Sequence, residues 1–104
     1  MKFGLSTSTL HKIQSVFEKY RDIEEVVIYG SRAKGNFREG SDIDLTLKGK
    51  NLKYTLLSAI EQDIDQLNTP YLFDISIYHL LNSPSLVDHI DRVGEVFYKH
   101  KEKV

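Results

Sequence analysis

Apolar residues recur along this chain at two spacings, which predict an alternation of helices and strands. A spacing of three or four residues, as at Leu10, Ile13 and Phe17, is typical of an amphipathic helix. Alternation of apolar and polar residues, or a short run of β-branched residues, is typical of a strand. The predicted helices cover three segments: 8–20, 57–67 and 84–93. The predicted strands cover four segments: 26–29, 41–48, 71–78 and 96–99.

Capping residues mark where the predicted helices begin and end. Ser8 is predicted as the N-cap of the first helix, and Ser83, which is followed by proline, as the N-cap of the last. Pro70 ends the second helix because the residue before a proline disfavours helical backbone. Gly94 ends the last helix. The charged tail, residues 100–104, is expected to be frayed.

The strand segments carry apolar faces, which predict a sheet covered by helices. In segments 41–48 and 71–78 every second residue is apolar. The order along the chain is helix, strand, helical turn, strand, helix, strand, helix and strand. We therefore predict an α/β (α+β) fold, a two-layer sandwich in which helices pack on one face of a mixed β-sheet.

Length and composition place the chain among small globular domains. Its 104 residues predict one domain, residues 1–104. No segment approaches the roughly 20 apolar residues of a membrane span, and no signal-peptide pattern is visible. The lack of cysteine excludes disulfides and thiolate zinc sites and fits a reducing cytoplasm, where we expect the protein. A formal net charge of −1 argues against a protein whose main task is binding nucleic acid.

The net charge of the chain is close to zero, but the charged residues are unevenly distributed along it. Residues 30–53 hold six basic and three acidic side chains, whereas residues 54–95 hold seven acidic side chains and one basic. Three of the six glycines, Gly30, Gly35 and Gly40, lie within the basic stretch. This coincidence favours a phosphate-binding site over a merely solvated surface.

A glycine–serine pair follows the predicted buried strand 26–29. Gly30 would let a phosphate approach the backbone closely, and the Ser31 hydroxyl would donate a hydrogen bond. The helical turn that follows leaves backbone N–H groups without an intrachain partner. Gly30 and Ser31 are therefore predicted to bind phosphate oxygens.

Three aspartates on predicted strands form the second half of the candidate site. Asp42 and Asp44 are two positions apart on one strand, so both carboxylates point to the same face. Asp74 lies on the polar face of a later strand. Neighbouring carboxylates repel each other unless a cation lies between them, and Mg²⁺ prefers such hard oxygen ligands. We predict that the three acids hold two Mg²⁺ ions and that Asp74 is a general base toward a hydroxyl.

Other motifs fail on the spacing of their key residues. Gly35 and Gly40 have the spacing of a P-loop, but Ser41 follows where lysine is required. A calcium loop that started at Asp42 would place Leu47 where glycine is needed. Four histidines lack the spacing of metal ligands: His11, His79, His89 and His100.

The segment GSRAKGNFREGSDIDL, residues 30–45, together with Asp74 resembles the nucleotidyltransferase superfamily that includes DNA polymerase β. The sequence of this segment is similar to that of the minimal nucleotidyltransferase (MNT) proteins. The predicted order of helices and strands agrees with theirs over nearly the whole chain. The resemblance implies the palm-like fold of polymerase β. In one respect the chain departs from the pattern: many relatives carry a further acid two positions after the third, where this chain has Ser76.

The resemblance implies roles residue by residue. Gly30 and Ser31 match the pair that holds the phosphates of the nucleotide, and the neighbouring Arg32 is a candidate for binding the triphosphate. The metal-binding acids of the family match three positions: Asp42, Asp44 and Asp74. The third acid is usually also assigned the role of base. The implied cofactor is Mg²⁺, and the implied substrate is a nucleoside triphosphate, with ATP as the expectation.

The MNT resemblance also implies a partner. MNT proteins are typically encoded beside a HEPN-domain toxin, and some transfer AMP from ATP to a tyrosine of that toxin and silence it. This implies an antitoxin that works in a hetero-oligomer with its toxin. Binding to a membrane or directly to nucleic acid is not expected. Two alternatives stay open: a non-catalytic antitoxin that only binds its HEPN partner, and a transferase for a small hydroxylated acceptor such as an aminoglycoside. An intact set of acids favours catalysis, because binding alone needs no metal site.

Overall fold

The computed structural model describes residues 2–101 and confirms the predicted order of elements. The helices are α1 (Thr7–Glu18), α2 (Ser31–Lys34), α3 (Tyr54–Asp65) and α4 (Pro84–Val93). The strands are β1 (Glu25–Tyr29), β2 (Ile43–Lys48), β3 (Phe73–Ile77) and β4 (Glu95–Lys99). A short 3₁₀ helix, Tyr78–Leu80, follows β3 and was not predicted.

The four strands form one mixed sheet in the order β3-β2-β1-β4. Strand β1 pairs antiparallel with β2 and with β4, whereas β2 pairs parallel with β3. Because a parallel pair needs a crossover connection, α3 carries the chain from the end of β2 back to the start of β3. Strands β3 and β4 are the two edges of the sheet.

One face of the sheet packs against α1 and α3. Ile28 of β1 and Leu45 of β2 are register partners, and both are fully buried. Phe17 of α1 and Ile60 of α3 belong to the same core. The alternation that the sequence shows therefore places the apolar side of each strand under these two helices, where its burial stabilises the fold.

Helix α4 lies on the opposite face of the sheet. Its Ile90 is buried against Val27 and Tyr29 of β1, in a cluster separate from the main core. The predicted mixed α+β sheet is confirmed, and the helices share one face except for α4. The physical reason lies in β1, which is apolar on both faces and therefore needs cover on both.

The helix caps agree with the sequence at α4 but not at α1. Ser6, and not Ser8, is the N-cap of α1, because its Oγ accepts a hydrogen bond from the Thr9 N–H at 3.1 Å. The helix therefore begins before Ser8. Ser83 caps α4 as predicted and accepts a hydrogen bond from the Leu86 N–H at 3.3 Å.

The end of the described chain is tied to the sheet. Gly94 follows the last residue of α4, as predicted. After β4, the His100 N–H donates to the Glu24 carbonyl oxygen at 2.9 Å, so the predicted fraying does not begin at His100. The rest of the tail, residues 102–104, lies outside the described residues. None of the described helices is both long and apolar enough to cross a bilayer.

Candidate functional site

The strand register brings the predicted site residues to one end of the sheet. Strand β1 ends at Tyr29, whose partner on the antiparallel β2 is Asp44. Asp44 is in turn the partner of Asp74 on the parallel β3. The end of β1 and the beginnings of β2 and β3 therefore lie side by side. Gly30 and Asp42 lie just beyond these strand ends.

The carboxylates of Asp44 and Asp74 occupy neighbouring positions on the same face of the sheet. Asp44 is half-buried, whereas Asp42 and Asp74 are exposed. Burial raises the pKa of the Asp44 carboxyl above its ordinary value, and the charges of Asp74 and Asp42 raise this pKa further. His89 on α4 acts in the opposite direction. Ionisation of Asp44 therefore costs free energy, which a bound cation would offset.

The turn after β1 requires glycine at position 30. Its φ of 75° lies in the left-handed region, where a side chain is disfavoured. A Cβ at this position would lie 2.5 Å from Oδ2 of Asp44. The backbone of the turn is therefore in close contact with a predicted metal ligand. Helix α2 begins at the next residue, Ser31, so the glycine–serine pair and the acids lie together.

Arg32 is buried and tied to the protein backbone. Its guanidinium donates from Nε and Nη2 to the Ser41 carbonyl oxygen, at 3.0 and 2.8 Å, and from Nη1 to the Phe3 carbonyl oxygen at 2.9 Å. The rings of Phe37 and Tyr71 lie 5.0 and 4.9 Å from it. Arg32 therefore holds the loop that leads into β2, and its predicted contact with a triphosphate stays a prediction.

His89 belongs to this region although its sequence position did not point to it. Helix α4 places its ring edge-on to Tyr29, with centroids 6.2 Å apart. Tyr29 is the register partner of Asp44, and His89 influences the Asp44 carboxyl. The sequence of β1 does indicate that a helix lies on this face of the sheet, because Val27 and Tyr29 make the second face of the strand apolar and require cover there.

The three aspartates offer suitable donors for Mg²⁺, but their side chains do not converge on one point. Within residues 2–101, no group of three acidic, histidine or cysteine side chains is placed to hold a metal ion. Asp42 and Asp74 are exposed, so their carboxylates have room to turn toward Asp44. Carboxylate oxygens are the ligands that Mg²⁺ prefers, and the cost of ionising Asp44 favours a cation beside it. The donor set therefore fits Mg²⁺ chemically, and the three-acid site stays a prediction.

A known protein family matches nearly the whole chain. The family model described as "Polymerase beta, Nucleotidyltransferase" matches residues 11–103. No curated protein sequence matches the chain significantly. The predicted resemblance to nucleotidyltransferases therefore has independent support over nearly the whole chain.

Solved structures of similar fold include three toxin–antitoxin complexes. A toxin–antitoxin with AMP-PNP is 15% identical over 93% of this chain and 76% of the other, with a TM-score of 0.69. The complex MntA-HpeT, in a mutant with two aspartates two positions apart replaced by glutamate, is 12% identical over 93% and 75%, with a TM-score of 0.66. A tri-AMPylated Shewanella oneidensis HEPN toxin in complex with MNT antitoxin is 13% identical over 92% and 74%, with a TM-score of 0.66. At these identities the likeness shows the fold.

Replacement of Arg32 by methionine is expected to destabilise the protein by about 2–4 kcal/mol, because two carbonyl oxygens would lose their donors in a buried place. Lys34→Met lies in the same short helix at an exposed position and is expected to change stability by less than about 0.5 kcal/mol. Urea unfolding measures both. Equal stability of the two variants would show that the Arg32 hydrogen bonds contribute little.

Gly30→Ala is expected to lose at least about 1 kcal/mol more stability than Gly40→Ala. Both glycines have positive φ, 75° and 84°, which disfavours alanine at each, and at Gly30 the ψ of −155° adds a conformation that is open almost only to glycine. Only at Gly30 would the added Cβ meet Asp44, since nothing lies within 4 Å of a Cβ at Gly40. Thermal unfolding compares the two. Similar losses would mean that contact with Asp44 is not what requires glycine.

Asp44→Asn is expected to stabilise the metal-free protein at neutral pH. The raised pKa of Asp44 means that the wild-type protein loses stability as pH rises through the pKa of the folded state. Below the ordinary pKa of 3.8 the carboxyl is protonated in both states, so the gain should vanish there. Since solvent screens this half-buried group, the gain is a fraction of a kcal/mol.

Urea unfolding in the presence of a chelator, at acid and at neutral pH, measures this gain. Asp22→Asn removes an exposed carboxylate elsewhere and is the control, for which little change is expected. An Asp44→Asn protein less stable than wild type at neutral pH would contradict the assignment of repulsion and burial to this carboxyl.

Proposed function

The chain belongs to the polymerase β nucleotidyltransferase family, and on that premise we propose that it transfers AMP from ATP to a tyrosine hydroxyl of a HEPN-domain toxin, which it silences as an antitoxin. The observation that carries the proposal is the pairing of Asp44 with Asp74 on adjacent parallel strands, beside the turn at Gly30. Two carboxylates side by side can bind the cations of a triphosphate, and the neighbouring glycine lets a phosphate approach the backbone closely. Packing of the sheet alone would not require these carboxylates.

Each residue has a proposed part in the reaction. The backbone at Gly30 and the hydroxyl of Ser31 bind phosphate oxygens of the nucleotide. Asp42, Asp44 and Asp74 would hold Mg²⁺, which supplies charge neutralisation on the triphosphate and lowers the pKa of the acceptor hydroxyl. Asp74, exposed on the edge strand, accepts the proton of that hydroxyl. The acceptor oxygen bonds to the α-phosphorus, the bond between the α- and β-phosphates breaks, and pyrophosphate leaves.

The structural neighbours support the choice of nucleotide and acceptor. One of them is a toxin–antitoxin with AMP-PNP, and another is an AMPylated HEPN toxin in complex with MNT antitoxin. A third carries its two mutated aspartates at the spacing of Asp42 and Asp44. We carry over to this chain the adenine nucleotide and the HEPN partner, with which it would form a hetero-oligomer in the cytoplasm.

A second candidate is an antitoxin that acts by binding alone. It is favoured by one observation, that the three carboxylates do not converge on a metal position within the described residues. A transferase for a small hydroxylated acceptor has no comparable support in the structure.

The test combines the purified protein, Mg²⁺, labelled ATP and the HEPN-domain protein encoded beside it. The wild-type protein is expected to label that partner. The double variant Asp42→Asn with Asp44→Asn should reduce labelling by at least about 10³-fold, because metal-ion catalysis contributes several kcal/mol. The control variant, Asp22→Asn with Asp88→Asn, removes two exposed carboxylates outside the site and should label as wild type does.

Each contrary outcome has a distinct meaning. Labelling by the Asp42 and Asp44 double variant would show that the metal assignment is wrong. A tight complex without labelling by the wild-type protein would favour the binding-only antitoxin. Far-UV circular dichroism of every variant verifies that a loss of labelling does not come from unfolding.

A further inference from the structure

The candidate site is covered on one side and open on another. Helix α4 covers β1 through Ile90, and the turn at Gly30 lies in close contact with Asp44. On the other side lies β3, an edge strand, where Asp74 is exposed. A large acceptor therefore has room to approach Asp74 from the β3 edge, whereas α4 obstructs approach across β1.

An exposed leucine lies at this open side. Leu72 is 72% exposed, more than the other large exposed apolar side chains, Tyr54 at 64% and Val96 at 49%. It precedes Asp74 by two positions, immediately before β3 begins. The Ile43 N–H donates to the Leu72 carbonyl oxygen at 2.9 Å, which fixes this residue against β2 at the start of the site.

A groove between α3 and the start of β3 extends the apolar surface next to Leu72. Its volume is about 250 Å³. Two of the residues that line it are acidic and exposed, Glu61 and Asp65, and none is basic. We define the β3-edge surface by six residues: Glu61, Ile64, Asp65, Tyr71, Leu72 and Phe73.

We infer that the β3-edge surface is the docking site for the acceptor protein, through a segment with an apolar side chain flanked by lysine or arginine. The apolar anchor would cover Leu72 and enter the groove, and the basic side chains would meet Glu61 and Asp65. Because β3 is an edge strand, a partner held in the groove can reach Asp74 on the other face of this strand from the open side. The inference rests on the proposed function, because it names the surface by which the protein substrate is held.

The first experiment measures binding of the partner by isothermal titration calorimetry. Leu72→Asp is expected to weaken the complex at least about tenfold, because a charge would replace the apolar side chain that the partner's anchor covers. Val96→Asp and Tyr54→Asp are matched controls, each an exposed apolar residue changed to aspartate away from this surface, and are expected to bind within about twofold of wild type. Binding of ATP with Mg²⁺ should be unchanged in all three variants.

The second experiment tests the charge of the occupant. Glu61→Lys with Asp65→Lys should weaken the complex and reduce its dependence on salt, because the attraction to a basic segment is lost. Glu18→Lys, an exposed acid on α1 that does not line the groove, is the control and should leave the affinity and its salt dependence unchanged. Unfolding curves of every variant separate lost binding from lost structure.

The outcomes distinguish failure of this inference from failure of the proposed function. If Leu72→Asp binds and labels the partner as wild type does, the docking surface is wrong while the transfer reaction stands. If Val96→Asp is the variant that loses binding, the partner docks at the β4 edge instead. If the wild-type protein transfers nothing to the partner, yet Leu72→Asp alone loses binding, the docking surface stands and the proposed transfer is wrong.

Discussion

Asp44 and Asp74 carry like charges on adjacent strands, and the site depends on how the sheet holds them together. Their pairing is imposed by the parallel ladder between β2 and β3, whose other face is anchored in the core through Leu45 and Ile75. Burial of that apolar face stabilises the sheet enough to tolerate the repulsion between the two carboxylates. The same repulsion favours a cation between the two carboxylates, and a bound cation would in turn attract a triphosphate.

A second interaction organises the loops around these acids. The guanidinium of Arg32 binds the carbonyl oxygens of Ser41 and Phe3, and it has no salt bridge within residues 2–101. It therefore joins the N-terminal segment to the residue that precedes Asp42. Its positive charge lies close in the chain to the turn at Gly30, where it favours anions. Arg32 thus combines a structural role with an electrostatic one, although its side chain is buried.

The position of α4 decides which side of the site is accessible to solvent. The apolar residues Val27 and Tyr29 draw this helix onto the face that carries the acids, where His89 approaches Asp44. The helix covers β1 and leaves the β3 edge open. A short sheet of four strands therefore has one covered side and one accessible side, and the accessible side carries the exposed Leu72.

The sequence by itself determined the order of helices and strands, the glycine turn, and the shared face of Asp42 and Asp44, because these follow from periodicities within short segments. Only the tertiary structure decided that Asp44 is paired with Asp74, that Arg32 is buried, and that α4 lies opposite the other helices. These depend on strand order and on contacts between residues distant in the chain. The second apolar face of β1 indicates that some helix must cover it, but no local pattern specifies which one or fixes the other two features, since they are set by the burial of apolar surface over the whole fold.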